Sequence, residues 1–315
     1  MKELYSKLCQ EKYIPIHGQP WWLDAVCGSE NWEVILAFGG SKNIIGALPY
    51  TKNRRMGLDM IRMPNLTSFL PIYIDFPDSK KQYRQYDFEH KVLAELISQI
   101  PSVLIFNQNY FPTLTNWLPF YWKDYRQTTR YTYVFDDLSN PDALYKKFNR
   151  NTRRNILKAE ELGIEILDSD DLESFYKIAQ MTFSRQNLKM PYSFQQLSRL
   201  DKVLTTRNQR KILLAKDSKN NIHVASYFIW DERKVYYLAS GINTDFRKSG
   251  AHHLLIWTAL KHFSGKGKVF DFEGTMLKSV EAVFRGLGAR QVPYLNVKKV
   301  KFSALELGLE LIGKW

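Results

Sequence analysis

The sequence predicts an α/β (α+β) fold arranged in two domains. The chain has 315 residues, which is enough for two domains of ordinary size with a core in each. Its composition, with 44% hydrophobic and 24% charged residues, is that of a globular protein. In the second half, apolar strand-like segments alternate with amphipathic helical ones, and this alternation is typical of layered α/β domains.

The first 130 residues predict strands and turns around one short helix, "QPWWLDAVCG". Pro20 suits the first turn of that helix, and Gly28 suits its end. The apolar segments "WEVILAFGG" and "NIIGALPYT" flank the turn "GGSKN" and predict a hairpin. The amphipathic segment "DFEHKVLAELISQI" then predicts a longer helix. Pro101 separates it from the strand "SVLIFNQ".

The second half begins with a predicted helix that runs from the N-cap Asn140 to Gly163, with Pro141 at its first position. A spacing of 100° per residue places Tyr145, Phe148, Thr152, Ile156 and Ala159 on one face. The opposite face carries the cations Lys146, Lys147, Arg150, Arg153, Arg154 and Lys158. This face is either an anion-binding surface or a solvated basic face, and the pattern leaves both open.

Strands and helices then alternate up to "RQVPYLNVKK". Between the strand "KVYYLASG" and the helix "GAHHLLIWTALKHF" lies the loop "NTDFRKSG", which brings Arg247 and Lys248 to the start of a helix. Free backbone N–H groups and the helix dipole favour anions at such a position. The strand "KVFDFEG" and the helix "SVEAVFRGLG" follow. The loop is therefore either an anion site or a well-capped helix start.

The net charge is +13, and its distribution is uneven. Residues 1–130 carry 15 cations against 12 anions, and residues 131–315 carry 30 against 20. This balance suits nucleic acid, a phosphate cofactor or an anionic lipid surface without choosing among them. Two cysteines, Cys9 and Cys27, favour a reducing compartment. With no apolar secretory segment at the start and no apolar run of about 20 residues, we expect a cytoplasmic protein.

The R-x-x-G-A stretch from Arg247 to Ala251, within this order of elements, resembles the acyl-donor half of the GNAT acyltransferases. In that superfamily a strand splays from its neighbour, and the pyrophosphate of coenzyme A sits on the next helix start. The motif is [QR]-x-x-G-x-[GA], and here His252 departs from its last position. The segments "NTRRNILKAEELGIEI", "YYLASGINTDFR", "VFDFEGT" and "VEAVFRGLGARQVPYLNV" together resemble the Fem-type branch, in its compact two-domain form.

This resemblance implies two tandem GNAT-like domains, each with a mixed, mostly antiparallel sheet flanked by helices. The domains would span 1–130 and 131–298, with a tail, 299–315, that packs back on the first domain. It also implies an N-acyltransferase that moves an amino acid from aminoacyl-tRNA to a peptidoglycan precursor peptide. The partners would then be tRNA and that precursor rather than DNA, with no tightly bound cofactor. For the tail "SALELGLELIGKW", a peripheral contact with the inner membrane surface stays open.

Two other functions remain open. A GNAT enzyme could use acyl-CoA or an acyl-carrier protein to acylate an amino sugar or another cell-envelope intermediate. Alternatively, a non-catalytic module could bind tRNA or another anion through the face from Arg150 to Lys158. Saturable coenzyme A binding that depends on Arg247 would favour the former. Salt-sensitive binding without turnover would favour the latter.

Transfer from an activated ester needs alignment, a path for the amine proton and donors for the oxyanion. In a strand, Asp271 and Glu273 share one face, so they are our candidates for a base or an amine-orienting pair; structural ion pairs are the alternative. The sequence has no Ser–His–Asp or Cys–His signature, and its six histidines lack metal spacing, so we expect no covalent intermediate and no metal. The candidate substrate- and donor-binding residues are Arg153, Arg154, Lys158, Tyr236, Tyr237, Asn243, Arg247, Lys248 and Gly250.

Overall fold

The local signals in the sequence set several element boundaries. The computed structural model describes residues 1–40, 42–55, 57–185, 187–265 and 268–302. Helix α2 (Pro20–Cys27) has its proline in the first turn and ends at Gly28, whose φ is +87°. The hairpin predicted after it is present, with β1 (Trp32–Phe38) antiparallel to β2 (Ile44–Thr51). In the described ranges, no helix has both the length and the apolar character needed to cross a bilayer.

The chain forms two compact units: residues 1–130 with residues 293–302, and residues 131–292. The first unit has two sheets, with strand orders β1-β2-β5 and β3-β4-β6-β13. Its core includes Leu93, Phe106, Phe120 and Val297. Its other elements are α1 (Lys2–Glu11), β3 (Asn53–Arg55), β4 (Leu58–Arg62), β5 (Tyr73–Ile74), α3 (Gln82–Ser98), β6 (Ile105–Asn109), α4 (Leu118–Tyr121) and β13 (Arg290–Val300).

The second unit is built on the strand order β7-β12-β11-β10-β9-β8, in which β11 and β12 pair in parallel and the other neighbours pair antiparallel. The mostly antiparallel α/β fold class is thereby confirmed. The elements are β7 (Arg126–Phe135), α5 (Pro141–Lys147), α6 (Arg150–Glu161), β8 (Glu165–Ser169), α7 (Leu172–Arg185), α8 (Phe194–Thr206), β9 (Arg210–Lys216), β10 (Ile222–Trp230), β11 (Lys234–Ile242), α9 (Ala251–His262), β12 (Val269–Asp271) and α10 (Lys278–Gly286).

Helices cover both faces of this second sheet. Ile156 of α6 and Leu255 of α9 belong to the apolar cluster that includes Val235 of β11. On the other face, Phe175 of α7 makes an edge-to-face contact with Tyr227 of β10, with ring centroids 5.4 Å apart. Each strand therefore alternates its side chains between two helical layers, which fixes its register.

Three predictions about helices were wrong. The single helix predicted from Asn140 to Gly163 is interrupted, because Phe148 is extended and Asn149 caps a new helix, accepting from the Thr152 N–H at 2.8 Å. The first third contains α1 as well as the predicted helices. Helix α8 was missed, although Ser193 accepts from the Gln196 N–H in an S-x-x-Q capping pattern.

The predicted tail, 299–315, falls mostly on residues 303–315, which lie outside the described residues. Up to Val300 the chain is still strand β13, whose Val300 pairs with Ile105 of β6. The second unit ends at Val292, six residues before the predicted limit at Lys298.

Candidate functional site

The second sheet opens between β11 and β12. Their parallel pairing ends where Tyr236 faces Asp271. Beyond that point β11 continues alongside β10 to Ile242, whereas the chain after β12 follows β7, with the Phe272 N–H donating to the Tyr133 carbonyl at 3.0 Å. We call the region between Tyr237–Ile242 and Phe272–Gly274 the inter-strand opening. The ends of diverging strands in α/β sheets are common ligand sites.

A β-bulge lies at the start of this opening. Tyr227 of β10 faces Ala239 and Phe228 faces Tyr237, so Leu238 is the extra residue on β11. Bulges of this kind bend a strand and re-aim its groups, and they are frequent beside active sites. Sequence analysis missed it because no glycine or proline marks the position.

Aromatic side chains at the borders of the opening pack together. Phe272 and Phe284 lie 4.4 Å apart between ring centroids, and Tyr237 is 5.9 Å from Phe272 and 6.5 Å from Phe284. All three side chains are buried. The tilted and edge-to-face arrangements are those that aromatic pairs prefer.

A chain of polar groups runs from these rings to the start of α9. The Tyr237 hydroxyl lies 2.9 Å from His252 Nε2 and 3.1 Å from Ser226 Oγ, which in turn is 3.0 Å from Ser240 Oγ. Burial, assisted by neighbouring His253, lowers the pKa of His252 to about 3, so the imidazole is neutral near pH 7. Burial raises the pKa of Tyr237 to about 12.

The loop ahead of α9 is held in place by local contacts. Asn243 Oδ1 accepts from the Asp245 N–H, and its Nδ2 donates to the Ile222 carbonyl at 3.2 Å. Phe246 stacks on His223 with ring centroids 4.0 Å apart. Arg247 and Lys248 are exposed at the end of this loop. Asn243 thus acts as a loop cap, and the two cations border the helix start as predicted.

Gly250 is required by packing. Its φ is +83°, and an added Cβ would lie 2.0 Å from the carbonyl oxygen of Asn155 in α6. The glycine therefore lets the start of α9 approach the backbone of α6. A further role for Gly250 against a phosphate stays a prediction.

The cations of α6 point outward. Arg153, Arg154 and Lys158 are exposed, while Ile156 and Ala159 are buried, as the predicted faces required. Arg153 Nε donates to the Phe148 carbonyl at 2.9 Å, and Arg154 Nη2 donates to Asn151 Oδ1. Since Asn155 of α6 contacts Gly250, these cations and Arg247 lie on neighbouring segments.

The two predicted carboxylates sit at the end of β12. Asp271 is fully buried; its Oδ1 accepts from Thr132 Oγ1 at 2.6 Å and from the Glu273 N–H at 2.9 Å, and its Oδ2 is 3.6 Å from Lys234 Nζ. Burial raises the pKa of Asp271, although the Lys234 ammonium opposes this shift. Its environment fits the structural alternative, a buried charge pair.

Glu273 lies beyond the strand instead of within it. Its φ is +58°, and Gly274, with φ +84°, continues the left-handed turn. The predicted strand alternation therefore places Asp271 correctly but not Glu273. A non-glycine residue in this conformation is strained, and such strain is frequent at functional sites.

The structure brings together most of the predicted residues. Tyr237, Gly250, Arg247 and Lys248 surround the opening or the start of α9. Tyr236 lies apart, since it is fully buried and its hydroxyl donates to Asp231 Oδ2. Residues not predicted to take part are Leu238, Ser226, Ser240, Phe272 and Phe284. Within the described residues, no cluster of three or more His, Cys, Asp or Glu has the arrangement of a metal site.

We expect His252 to make the protein acid-sensitive. Because its pKa is lower in the folded chain than its ordinary value of 6.5, the unfolded chain binds more protons below that pH, and the free energy of unfolding falls as the pH drops from 6.5 towards 3. One such group contributes at most about 1.4 kcal/mol per pH unit. His252→Gln should flatten this slope in urea titrations. His262→Gln, at the exposed end of α9, should retain it, and equal slopes in both variants would contradict the assignment.

Comparison with known proteins finds a matching domain family and several structures of similar fold. Residues 146–276 match the family model described as an acetyltransferase (GNAT) domain. The crystal structure of FemX has a TM-score of 0.65 and 12% identity over 94% of this chain and 95% of that one. A tandem GNAT protein from the clavulanic acid biosynthesis pathway has a TM-score of 0.53 and 9% identity over 95% and 93%. The structure of L-PGS from Bacillus licheniformis has a TM-score of 0.51 and 11% identity over 99% and 95%.

No curated protein matches the chain by sequence. The structural likenesses, at these low identities, concern the fold. The GNAT match covers the segment that contains α6, the bulge, the inter-strand opening and both carboxylates. Residues 146–276 thus match the model of a GNAT acetyltransferase domain, and the fold of the chain is like that of FemX.

Proposed function

We propose that this chain transfers an aminoacyl group from aminoacyl-tRNA to an amine of a peptidoglycan precursor peptide. The amine nitrogen attacks the ester carbonyl, the new C–N bond forms, and the C–O bond to the tRNA ribose breaks. The proton lost by the amine ends on the ribose hydroxyl. The ester is already activated, so alignment supplies much of the acceleration, up to about 7–11 kcal/mol in well-oriented cases.

The aromatic packing at the inter-strand opening is the observation that favours aminoacyl-tRNA over acyl-CoA as the donor. An acyl-CoA donor has a long pantetheine arm that must lie between the strands, with its pyrophosphate at the start of α9. Here Tyr237 and Phe272, at the two borders of the opening, are buried and pack together with Phe284, and His252 stands where the coenzyme A motif has a small residue. A tRNA presents its ester from outside and needs no such slot.

The neighbouring cations supply a surface for the tRNA backbone. Arg154 and Lys158 of α6 and Arg247 and Lys248 ahead of α9 are exposed, and the Gly250–Asn155 contact brings the two segments together. Phosphate contacts of this kind give affinity and position without reading sequence.

For the proton, we propose Glu273 as the acceptor and Asp271 as its support. Asp271 is sealed from solvent and accepts a hydrogen bond from the Glu273 backbone, which holds the strained turn. Glu273 lies two residues beyond β12, where the strands diverge. A carboxylate there can take the amine proton directly or through one water.

The direct test is transfer of a labelled amino acid from a pool of charged tRNAs to a nucleotide-linked precursor peptide. Transfer that depends on charging supports the proposal. In parallel, calorimetry with coenzyme A decides the alternative. Stoichiometric micromolar binding that is lost in Arg247→Ala, with no transfer from tRNA, would replace our proposal with acyl-CoA chemistry. Salt-sensitive tRNA binding without any transfer would indicate a binding module.

We expect Arg154→Gln/Lys158→Gln to weaken tRNA binding. Removal of two phosphate contacts should lower the slope of log affinity against log salt by about 1.4–1.8, since each contact contributes about 0.7–0.9. The matched control is Arg199→Gln/Lys202→Gln, which removes two exposed cations from α8. Filter binding over a salt series measures both. An equal slope in the wild type and the α6 variant would exclude this face as the tRNA surface.

A further inference from the structure

A second functional surface lies in the first unit, on the short helix α4. Phe120 is buried in the core, whereas Leu118, Tyr121 and Trp122 are exposed, the latter two at 58%. Positions 118, 121 and 122 share one face of a helical turn. Three large apolar side chains therefore point to solvent together, and exposed groups of this kind mark interaction surfaces.

The start of α3 extends this surface. Tyr83 and Tyr86 are exposed at 58% and 50%. His90, one turn beyond Tyr86, contacts the Trp122 ring edge-on, with centroids 5.2 Å apart. The aromatic surface thus comprises Tyr83, Tyr86, Leu118, Tyr121 and Trp122.

A basic cleft of about 600 Å³ adjoins the aromatic surface at Trp122. Its walls include Phe106 and Tyr125, and it is lined by three lysines, Lys123, Lys299 and Lys301, together with Asp124. Lys299 Nζ donates to the Lys123 carbonyl at 2.6 Å and lies 5.0 Å from the centre of the Tyr125 ring. The cleft therefore combines an apolar wall with a fixed positive charge.

The charge around the aromatic surface is also positive. The segments 80–91 and 117–126 carry six cations and three anions: Lys80, Lys81, Arg84, Lys91, Lys123 and Arg126 against Asp87, Glu89 and Asp124. Trp and Tyr with an apolar body and a polar tip, flanked by lysines, are the side chains that settle at the headgroup level of a bilayer.

We propose that this face of the first unit docks on an anionic phospholipid membrane. The aromatic surface enters the interface, and the basic cleft receives the phosphate of a lipid headgroup. A nucleic acid would satisfy the lysines but not the exposed Leu118, and a neutral apolar partner would leave the lysines unmatched. The proposal is independent of the donor at the second unit.

The test is co-sedimentation of the full chain with phosphatidylglycerol–phosphatidylcholine vesicles, against vesicles of phosphatidylcholine alone. We expect binding to the anionic vesicles that weakens with salt. Tyr121→Ala/Trp122→Ala should lower the partition coefficient at least about ten-fold. Lys299→Gln/Lys301→Gln should lower it about 30-fold, from roughly five-fold per lysine near the surface.

Matched controls separate this site from general charge and hydrophobicity. Leu4→Ala removes an exposed apolar side chain from α1, and Lys7→Gln/Lys42→Gln removes two exposed cations elsewhere in the unit. Both should bind as the wild type does. Equal binding to the two vesicle types, or unchanged binding in both test variants, would overturn the proposal. So would a concentration-dependent dimer lost in Tyr121→Ala/Trp122→Ala, since a second copy would then occupy the surface.

Acyl transfer to a soluble acceptor distinguishes this proposal from the proposed function. The lipid-surface variants should retain that activity because they lie outside the inter-strand opening. If vesicle binding is absent while transfer is intact, only the membrane proposal fails. If transfer is absent while vesicle binding is intact, only the proposed donor chemistry fails.

Discussion

Gly250→Ala is expected to destabilise the second unit by about 2–5 kcal/mol. Two costs combine at this position. A residue with a Cβ is strained at a φ of +83°, and the new methyl would lie 2.0 Å from the Asn155 carbonyl oxygen, so α9 must move away from α6. Urea unfolding followed by tryptophan fluorescence measures the loss.

Gly163→Ala is the matched control. This glycine, with φ +66°, lies after α6, and an added Cβ there meets nothing within 4 Å. It should cost about 1–2 kcal/mol, which is the backbone strain alone. If the two variants are equally stable, the close approach to α6 is not the reason that position 250 requires a glycine.

Asp271→Ala is expected to cost about 3–5 kcal/mol, because it leaves Lys234 beside an empty, buried site and removes the acceptor of Thr132 and the Glu273 N–H. Asp271→Asn retains the shape and should cost less. If Asp271 has this structural role, both of its variants lower the stability of the protein. Glu273→Gln, in contrast, should lower acyl transfer but unfold at nearly the wild-type denaturant concentration.

The pH dependence of Asp271 has a definite sign. Burial raises its pKa above the unfolded value of 3.8, so the folded chain holds the proton more tightly, and stability falls as the pH rises from about 4 through the folded pKa. The wild type should therefore lose stability relative to Asp271→Asn over this range. Asp271 would instead be the base if two results came together. The difference in free energy of unfolding between the wild type and Asp271→Asn would stay constant with pH, and Asp271→Asn would lose transfer at unchanged stability.

Much of the fold follows from local chemistry. Pro20 with Gly28, the hairpin around "GGSKN" and the strand segments of the second half are determined by capping, turn residues and apolar period, and the structure has them near the predicted limits. The break at Phe148–Asn149 was not predicted because the apolar spacing of Tyr145, Phe148 and Thr152 continues across it. The Asn149 N–H donates to the Gly286 carbonyl, a contact 137 residues away that outweighs the helical pattern.

The site was less predictable than the fold for the same reason. The cations of α6 and the loop are exposed, and exposure follows from charge alone. The bulge at Leu238 and the packing of Phe272 against Phe284 beside the opening depend on which strands pair and where they part. Likewise, the strand period predicted that Glu273 would lie on the same face as Asp271. Instead, β12 ends at Asp271 and Glu273 adopts a left-handed conformation.

The return of the chain to the first unit affects the order of folding during synthesis. Strand β6 acquires its neighbour β13 only when residues 296–300 have left the ribosome, after all of 131–292. The second unit, continuous in sequence, can therefore fold first. Until β13 is made, the earlier residues of the first unit have one edge of their sheet unpaired. An exposed edge of this kind is a target for aggregation, so chaperone demand should concentrate on the N-terminal part of the nascent chain.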